Sequence, residues 1–271
     1  MAKKSGVAPE SRSLPQGGGA ITSIGDSFRP NLSMGGGTYK VPLDLPPGPG
    51  GFSTKLDLFY HTGMGSGPFG FGWTVTIPYI ESRRPRPGRT DEAAPRYSFF
   101  GSEDLIQVGD GRFMPRSGSD YQEFRFNGDS WTSSDLNLVE MAFGGTSDSR
   151  MEFDRNGKMV VLRWYANEIA FRGGGNVRFL YEEHGGQIYP KRILWSVYRL
   201  EFEYENRPDP FAVFLMGNRI LTARRCRRMA LHNESLGEHT LMRSWSLDYE
   251  TGIHGTHSFL KSVTLSGHRF K

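Results

Sequence analysis

Short alternating runs, each closed by glycine or proline, recur along this chain and leave almost no room for a long helix. The 271 residues include 35 glycines and 16 prolines. No long segment keeps apolar residues at helical spacing. Residues 54–60 show the repeating unit, with Leu56, Leu58 and Tyr60 at period two on one face of an extended segment. Similar runs follow at 97–100, 105–108, 113–115 and 121–127. They continue at 150–153, 159–163, 167–172, 177–181, 192–196, 199–204, 211–215, 219–233, 239–249 and 258–265. Turn signals such as Asp110-Gly111, Asn127-Gly128 and Asn156-Gly157 stand between them. Aromatic residues, 13% of the chain, suit pleated, half-buried surfaces. The pattern predicts an all-β fold of many short antiparallel strands in twisted, stacked sheets, with one or two short helices at most.

The densest turn segment is Gly63-Met64-Gly65-Ser66-Gly67-Pro68-Phe69-Gly70-Phe71-Gly72-Trp73. Phe69, Phe71 and Trp73 are spaced by two, which predicts three rings on one face, buried against Leu56, Leu58 and Tyr60. A phosphate cradle built on Gly63-x-Gly65-x-Gly67 needs a helix N-terminus after it. A strand-like run stopped by Pro78 follows instead. The glycines at 17–19 and 63–72 are therefore read as steric requirements, with at least two at positive φ. Residues 1–12, polar and aperiodic, read as a flexible tail, and residues 81–96, rich in proline and charge, as a loop leaving the compact body.

Several separated motifs carry a family resemblance. They are Ser13-Leu-Pro-x-Gly-Gly-Gly-Ala-Ile21, Ser33-Met through Val41-Pro42, Leu56-x-Leu-x-Tyr60 and Gly67-Pro-Phe-Gly-Phe-Gly-Trp73. Further on come Gly101-Ser-Glu-Asp-Leu105, Tyr189-Pro-Lys-Arg-Ile193, Phe202-Glu-Tyr-Glu205 and Arg207-Pro-Asp-Pro210. In this order they resemble the SpvB/TcaC N-terminal domain family, which opens the B component of insecticidal toxin complexes and a Salmonella plasmid virulence protein. The tyrosine-ended runs Val177-Arg-Phe-Leu-Tyr181, Leu200-Glu-Phe-Glu-Tyr204 and Ser244-Trp-Ser-Leu-Asp-Tyr249 are similar to the Rhs/YD-type strands that wall the hollow shell of toxin-complex B and C components. The resemblance implies that residues 13–271 form an SpvB-like N-terminal β domain, the first part of a longer shell-forming protein. It further implies a non-enzymatic wall segment that encloses and helps deliver a C-terminal toxin. Its partners would be a pore-forming A component and a C component carrying the toxin cargo. An uncovered final strand bearing Phe259, Leu260, Val263 and Leu265 would then seek another strand.

The residues offer few competing chemistries. Glu201-x-Glu203-x-Glu205 has the spacing of an ADP-ribosyltransferase carboxylate pair, and an enzyme of that type is the first alternative. The same alternation is what the solvent face of a strand presents when Leu200, Phe202 and Tyr204 point inward. A carbohydrate- or surface-binding β module using exposed aromatics such as Trp131 and Trp164 is the second. His254-x-x-His257 has metal-pair spacing but lacks converging acidic partners. Asp104 and Asp110 lie in too sparse an acidic setting for a calcium loop. Arg224-Arg225-Cys226-Arg227-Arg228, with Arg219, reads as a salt-bridged wall. A net charge of +4 and no interleaved aromatics give no nucleic-acid signature. No catalytic, cofactor or metal residue is assigned. A single cysteine, Cys226, excludes an intrachain disulfide framework. No apolar run approaches the roughly 20 residues of a membrane span. The first residues show no signal-peptide pattern, so export to the extracellular space is expected by another route.

Overall fold

The computed structural model describes residues 29–31, 36–48, 51–52, 55–83, 96–118, 122–236, 240–252 and 257–267. The expectations for residues 1–12, Gly17 to Gly19, most of the 81–96 loop and His254 lie outside the described residues. The fold begins with β1 (Arg29–Asn31), β2 (Gly36–Pro42) and β3 (Asp57–His61). β4 (Ser66–Gly67), β5 (Gly70–Phe71) and β6 (Trp73–Val75) follow. β1, β2, β3 and β6 pair in that order as a small antiparallel sheet, and β4 and β5 form a separate two-residue hairpin.

Next come β7 (Tyr79–Arg83), β8 (Arg96–Phe99), β9 (Glu103–Gly109), β10 (Arg112–Pro115), β11 (Glu123–Phe126), β12 (Trp131–Ser134) and β13 (Glu140–Phe143). β14 (Arg150–Arg155) and β15 (Lys158–Ala170) complete this half. Each strand from β7 to β12 pairs with its successor, and β15 pairs with both β13 and β7. Those two partners lie on opposite edges of β15. The Gly144 N–H donates to the Tyr165 carbonyl, whereas the Ala166 N–H donates to the Pro78 carbonyl, and successive strand residues point their backbone groups to opposite sides. The strands β7 to β13 and β15 therefore close into an eight-stranded barrel.

A barrel this small is filled by its own side chains, and here the filling is aromatic. Trp131 is fully buried, with the rings of Tyr97 and Phe126 at 4.8 Å and Phe113 at 5.0 Å. Phe124, Phe143, Ile80 and Ala166 are wholly buried with it. Offset and edge-to-face ring packing of this kind contributes beyond the area buried.

From β15 the chain continues as an antiparallel meander. Its strands are β16 (Asn176–His184), β17 (Gln187–Trp195), β18 (Tyr198–Leu215), β19 (Asn218–Asn233), β20 (Thr240–Thr251) and β21 (Ser258–Gly267). One face of this open sheet carries Phe179, Ile193, Leu200, Met229, Leu231 and Trp245, all buried. The segment preceding β3 lies against it: the Trp195 Nε1–H donates to the Pro46 carbonyl at 3.0 Å, and Arg243 Nη1 meets Asp44 at 2.7 Å.

The two runs expected at 199–204 and 211–215 are one strand, β18. Its ladder with β19 slips between Asn206 and Phe211 and resumes at the Phe211–Thr222 pair. Pro208 and Pro210 fall in that slip, where the missing N–H groups cost no ladder bonds. Interruption of pairing without termination is the physical reason the sequence reads as two strands.

Candidate functional site

The Arg207-Pro-Asp-Pro210 slip in β18 positions the most tightly buried charges of the described residues. The Arg207 and Asp209 side chains are 0% and 2% exposed and pair in bidentate fashion, Nε to Oδ1 at 3.1 Å and Nη2 to Oδ2 at 2.9 Å. Arg207 also donates to the Gly67 carbonyl and the Ser66 hydroxyl, and its guanidinium lies 4.7 Å from the Phe211 ring. Asp209 accepts from both the backbone N–H and the hydroxyl of Ser258 at 2.6 Å. Arg225 donates to the same Ser258 hydroxyl at 2.9 Å. Burial pushes the Asp209 carboxyl up, but the hydrogen bonds from Arg207 and Ser258 outweigh it and hold the group below its ordinary value. A buried pair stays ionised only when its remaining polar atoms are satisfied in this way. The knot joins β4, β18, β19 and β21, residues far apart in sequence.

The glycine segment folds against this knot. Gly70 and Gly72 have φ of +95° and +81°, as expected of steric glycines. A Cβ on Gly70 would stand 3.0 Å from the Ser258 carbonyl oxygen, and one on Gly72 would run into the Tyr60 ring. These same two residues overturn the one-face expectation for the aromatic ladder. Left-handed turns at Gly70 and Gly72 break the period-two alternation, so the three rings part. Phe69 is buried edge-on to Phe202, Phe71 stacks on His257 at 5.1 Å, and Trp73 packs on Tyr60 at 5.3 Å. Of the expected contacts, only the one between Trp73 and Tyr60 is present among these ring pairs.

The remaining candidates resolve into structure. Glu201, Glu203 and Glu205 lie along β18 and pair with Arg192, with Arg227 and Arg228, and with Arg225, respectively. Arg224 pairs with Glu182 at 2.9 Å. Arg225, Arg227 and Arg228 thus form a cross-strand charge ladder with Glu203 and Glu205, whereas Arg224 reaches across to β16. Cys226 faces the other way, fully buried, and burial pushes its thiol well above the ordinary value. His257 is ring-stacked, and no cluster suited to a metal ion occurs among the described residues. Trp131 and Trp164 are 0% and 4% exposed, so they belong to the barrel core and cannot serve as a glycan platform. The barrel packs them inward because β12 and β15 each turn one alternating face to its centre.

A groove of about 700 Å³ opens between the small sheet, the barrel and the β17–β19 strands. Phe59 and Trp73 wall one side, Tyr79 and Tyr165 another, and Phe211 and Ile220 a third. Arg163 reaches it from β15, pairing with Glu81 at 2.8 Å and lying 4.5 Å from the Tyr79 ring. Burial alone would lower the affinity of this guanidinium for its proton, but Tyr165, Tyr79 and Glu81 more than compensate. Its Nε is buried without a hydrogen-bond partner. Sequence reasoning missed both the knot and the groove. Arg207-Pro-Asp-Pro210 was visible as a motif, but its partners at Ser66, Gly67 and Ser258 come together only through the fold.

Comparison with known proteins bears on this architecture. Residues 31–130 match the family described as SpvB, Salmonella virulence plasmid 65kDa B protein. The mono(ADP-ribosyl)transferase SpvB of Salmonella typhimurium strain 14028s is 26% identical over 210 residues, 64% of this chain and 33% of that protein. The N-terminal domain of SpvB from Salmonella typhimurium strain LT2 superposes with a TM-score of 0.71 at 20% identity, covering 84% of this chain and 99% of that one. Over 84% of its length this chain shares the fold of that SpvB N-terminal domain. The SpvB-type fold also occurs in the TcdB2–TccC3 crystal structure, with a TM-score of 0.76 at 19% identity over 97% of this chain and 17% of that one. It occurs again in the Photorhabdus luminescens Tc holotoxin pore, with a TM-score of 0.75 at 18% identity over 95% of this chain and 16% of that one. The SpvB-type chain therefore spans about a third of the length of the curated relatives it matches. The solved SpvB counterpart is the N-terminal domain of that protein.

Proposed function

We propose that this SpvB-type domain is a wall segment of a toxin-complex B-like shell, which encloses and helps deliver a C-terminal toxin. The observation that carries this reading is the coverage of TcdB2–TccC3: nearly the whole of this chain superposes on a small part of that one. A wall requires continuous strand pairing, a satisfied charge ladder and rigid joints, and the meander from β16 to β21 has all three. It does not require converging titratable groups, and Glu203, the candidate transferase carboxylate, is held between two arginines. Residues 13–271 would be the first part of a longer shell-forming protein working outside the cell that makes it. Its partners would be a pore-forming A component and a C component with toxin cargo.

Native mass spectrometry of the protein mixed with a purified toxin-complex C component, and separately with an A component, tests the reading. A stable complex with at least one of them is expected. Unbound protein in both mixtures would overturn it. So would transfer of label from nicotinamide dinucleotide to actin that disappears in Glu203→Ala.

A further inference from the structure

We propose that the outer edge of β21 docks a tyrosine-bearing β-hairpin, whose phenol hydroxyl donates to the Leu260 carbonyl. Joints of this kind already recur inside the fold. In the β16–β17 pair the register shifts so that Tyr181 stands opposite Pro190 and Lys191 is extra. In β18–β19 Tyr204 stands opposite Cys226 and Arg227 is extra. In β20–β21 Tyr249 stands opposite Leu260 and Lys261 is extra. Each tyrosine thus sits at the bulge of its own strand pair, while its hydroxyl donates to the bulge carbonyl of the pair before. Tyr204 donates to Pro190 at 2.7 Å and Tyr249 to Cys226 at 2.6 Å. Tyr181 donates to Ala166, which stands opposite Phe143 beside the extra residue Asn167, where β15 meets β13. Burial raises all three phenols above their ordinary value, so each stays a protonated donor.

Leu260 continues this series of bulge carbonyls, and among the described residues no second strand pairs with β21 to answer it. Its direction follows from Ser258, whose backbone N–H donates to Asp209 and not to its β20 partner Thr251. Ser258 therefore turns its backbone groups away from β20, and Leu260, two residues on and still before the bulge, turns the same way. The likeness to Cys226 extends to the N–H side. The Cys226 N–H donates to the Pro68 carbonyl. The same glycine segment brings Gly70 beside Leu260, where an added Cβ would lie 3.5 Å from the Leu260 nitrogen. Lys191, Arg227 and Lys261 are all exposed, so the bulge of β21 is built like its two predecessors. A half-buried carbonyl left out of a ladder gains from a donor, and a tyrosine supplies one at a reach fixed by its ring. The occupant is an antiparallel strand pair with an apolar residue two positions before its tyrosine, as in Phe179-x-Tyr181, Phe202-x-Tyr204 and Leu247-x-Tyr249. In the shell-wall reading, on which the source of the hairpin rests, it is the next hairpin of the same wall.

The probe is a cyclised hairpin that joins Tyr198–Tyr204 to Cys226–Asn233 in their native register and carries Cys226→Ala. It is titrated against the full chain at low micromolar concentration, with a Tyr204→Phe version alongside. The tyrosine hairpin should bind and slow amide exchange in β21. The phenylalanine version should bind roughly five- to tenfold more weakly, as for the loss of one hydrogen bond. Equal affinities would mean that the edge takes strands without reading the hydroxyl, and would overturn the proposal. Absence of binding, or protection confined to other strands, would overturn it too. In the full chain, Tyr249→Phe tests an existing joint and needs no peptide: exchange at residues 224–228 should accelerate about fivefold or more. Unmoved exchange there would overturn the proposal equally. Native mass spectrometry with toxin-complex components reads the wall itself, so a failed hairpin beside a stable complex would discard the tyrosine docking and keep the wall.

Discussion

Arg207 shows what one side chain can hold. Its guanidinium satisfies a carboxylate, a hydroxyl and a backbone carbonyl with its side chain 0% exposed. Removing one partner of such a pair strands the other in a low-dielectric site, at a cost of about 3–5 kcal/mol. Arg207→Ala should therefore lower stability by that amount in a urea titration, and should do so more than Asp209→Leu combined with Arg207→Met. Equal losses in the two variants would mean that the knot is only packing. The pH dependence follows from the same geometry. Asp209 is held below its ordinary value in the fold, so its contribution is fully present above the unfolded value of about 3.9 and is lost as pH falls through the folded value. Asp209→Asn should weaken the fold at neutral pH and flatten the loss of stability below about pH 4. Parallel acid-melting curves for the two proteins would contradict this.

Among the elements, the glycine segment departs most from what its sequence suggested. Alternation correctly marked the strands, because a half-buried sheet face imposes period two wherever the backbone stays extended. It failed at Phe69, Phe71 and Trp73 because the residues between them adopt positive φ, which resets the direction of each following side chain. Gly72→Ala should cost about 1–3 kcal/mol, the range for a non-glycine residue held in the left-handed region, and more if Tyr60 cannot yield. A thermal midpoint unchanged by the substitution would show that the segment can re-form with extended geometry; restoration by a nucleotide would revive the phosphate-cradle reading. The long strands β18 and β19 were half legible. Their ends and hydrophobic faces could be read, but their union across two prolines could not, since the pairing that spans the slip is supplied by β19. The charge ladder was anticipated in kind, although the partner of each arginine depends on register.

At the scale of the whole molecule, the all-β class was legible from punctuation and composition, whereas barrel closure was not. Closure depends on one strand, β15, accepting partners separated by more than fifty residues of chain, and no local pattern announces it. The other end of the large sheet is β21, which pairs with β20 along one edge. Leu265 and Phe259 on it are 51% and 37% accessible. Among the described residues no second strand pairs with β21, the arrangement in which an edge can template another strand. Light scattering should therefore show concentration-dependent association at high micromolar protein, suppressed by Val263→Lys with Leu265→Lys. A monomer at all concentrations would mean that this edge is already protected.

The barrel and the meander share β15, and this gives the large sheet a direction. Where β13 returns to β15, the pairing path bites its own tail, so no further strand can be added there. Among the described residues the path stops at β21, which pairs with β20 alone. Along this main path a further strand would join at β21 and not where β13 meets β15, in the way a zip with a fixed stop can be drawn in one direction.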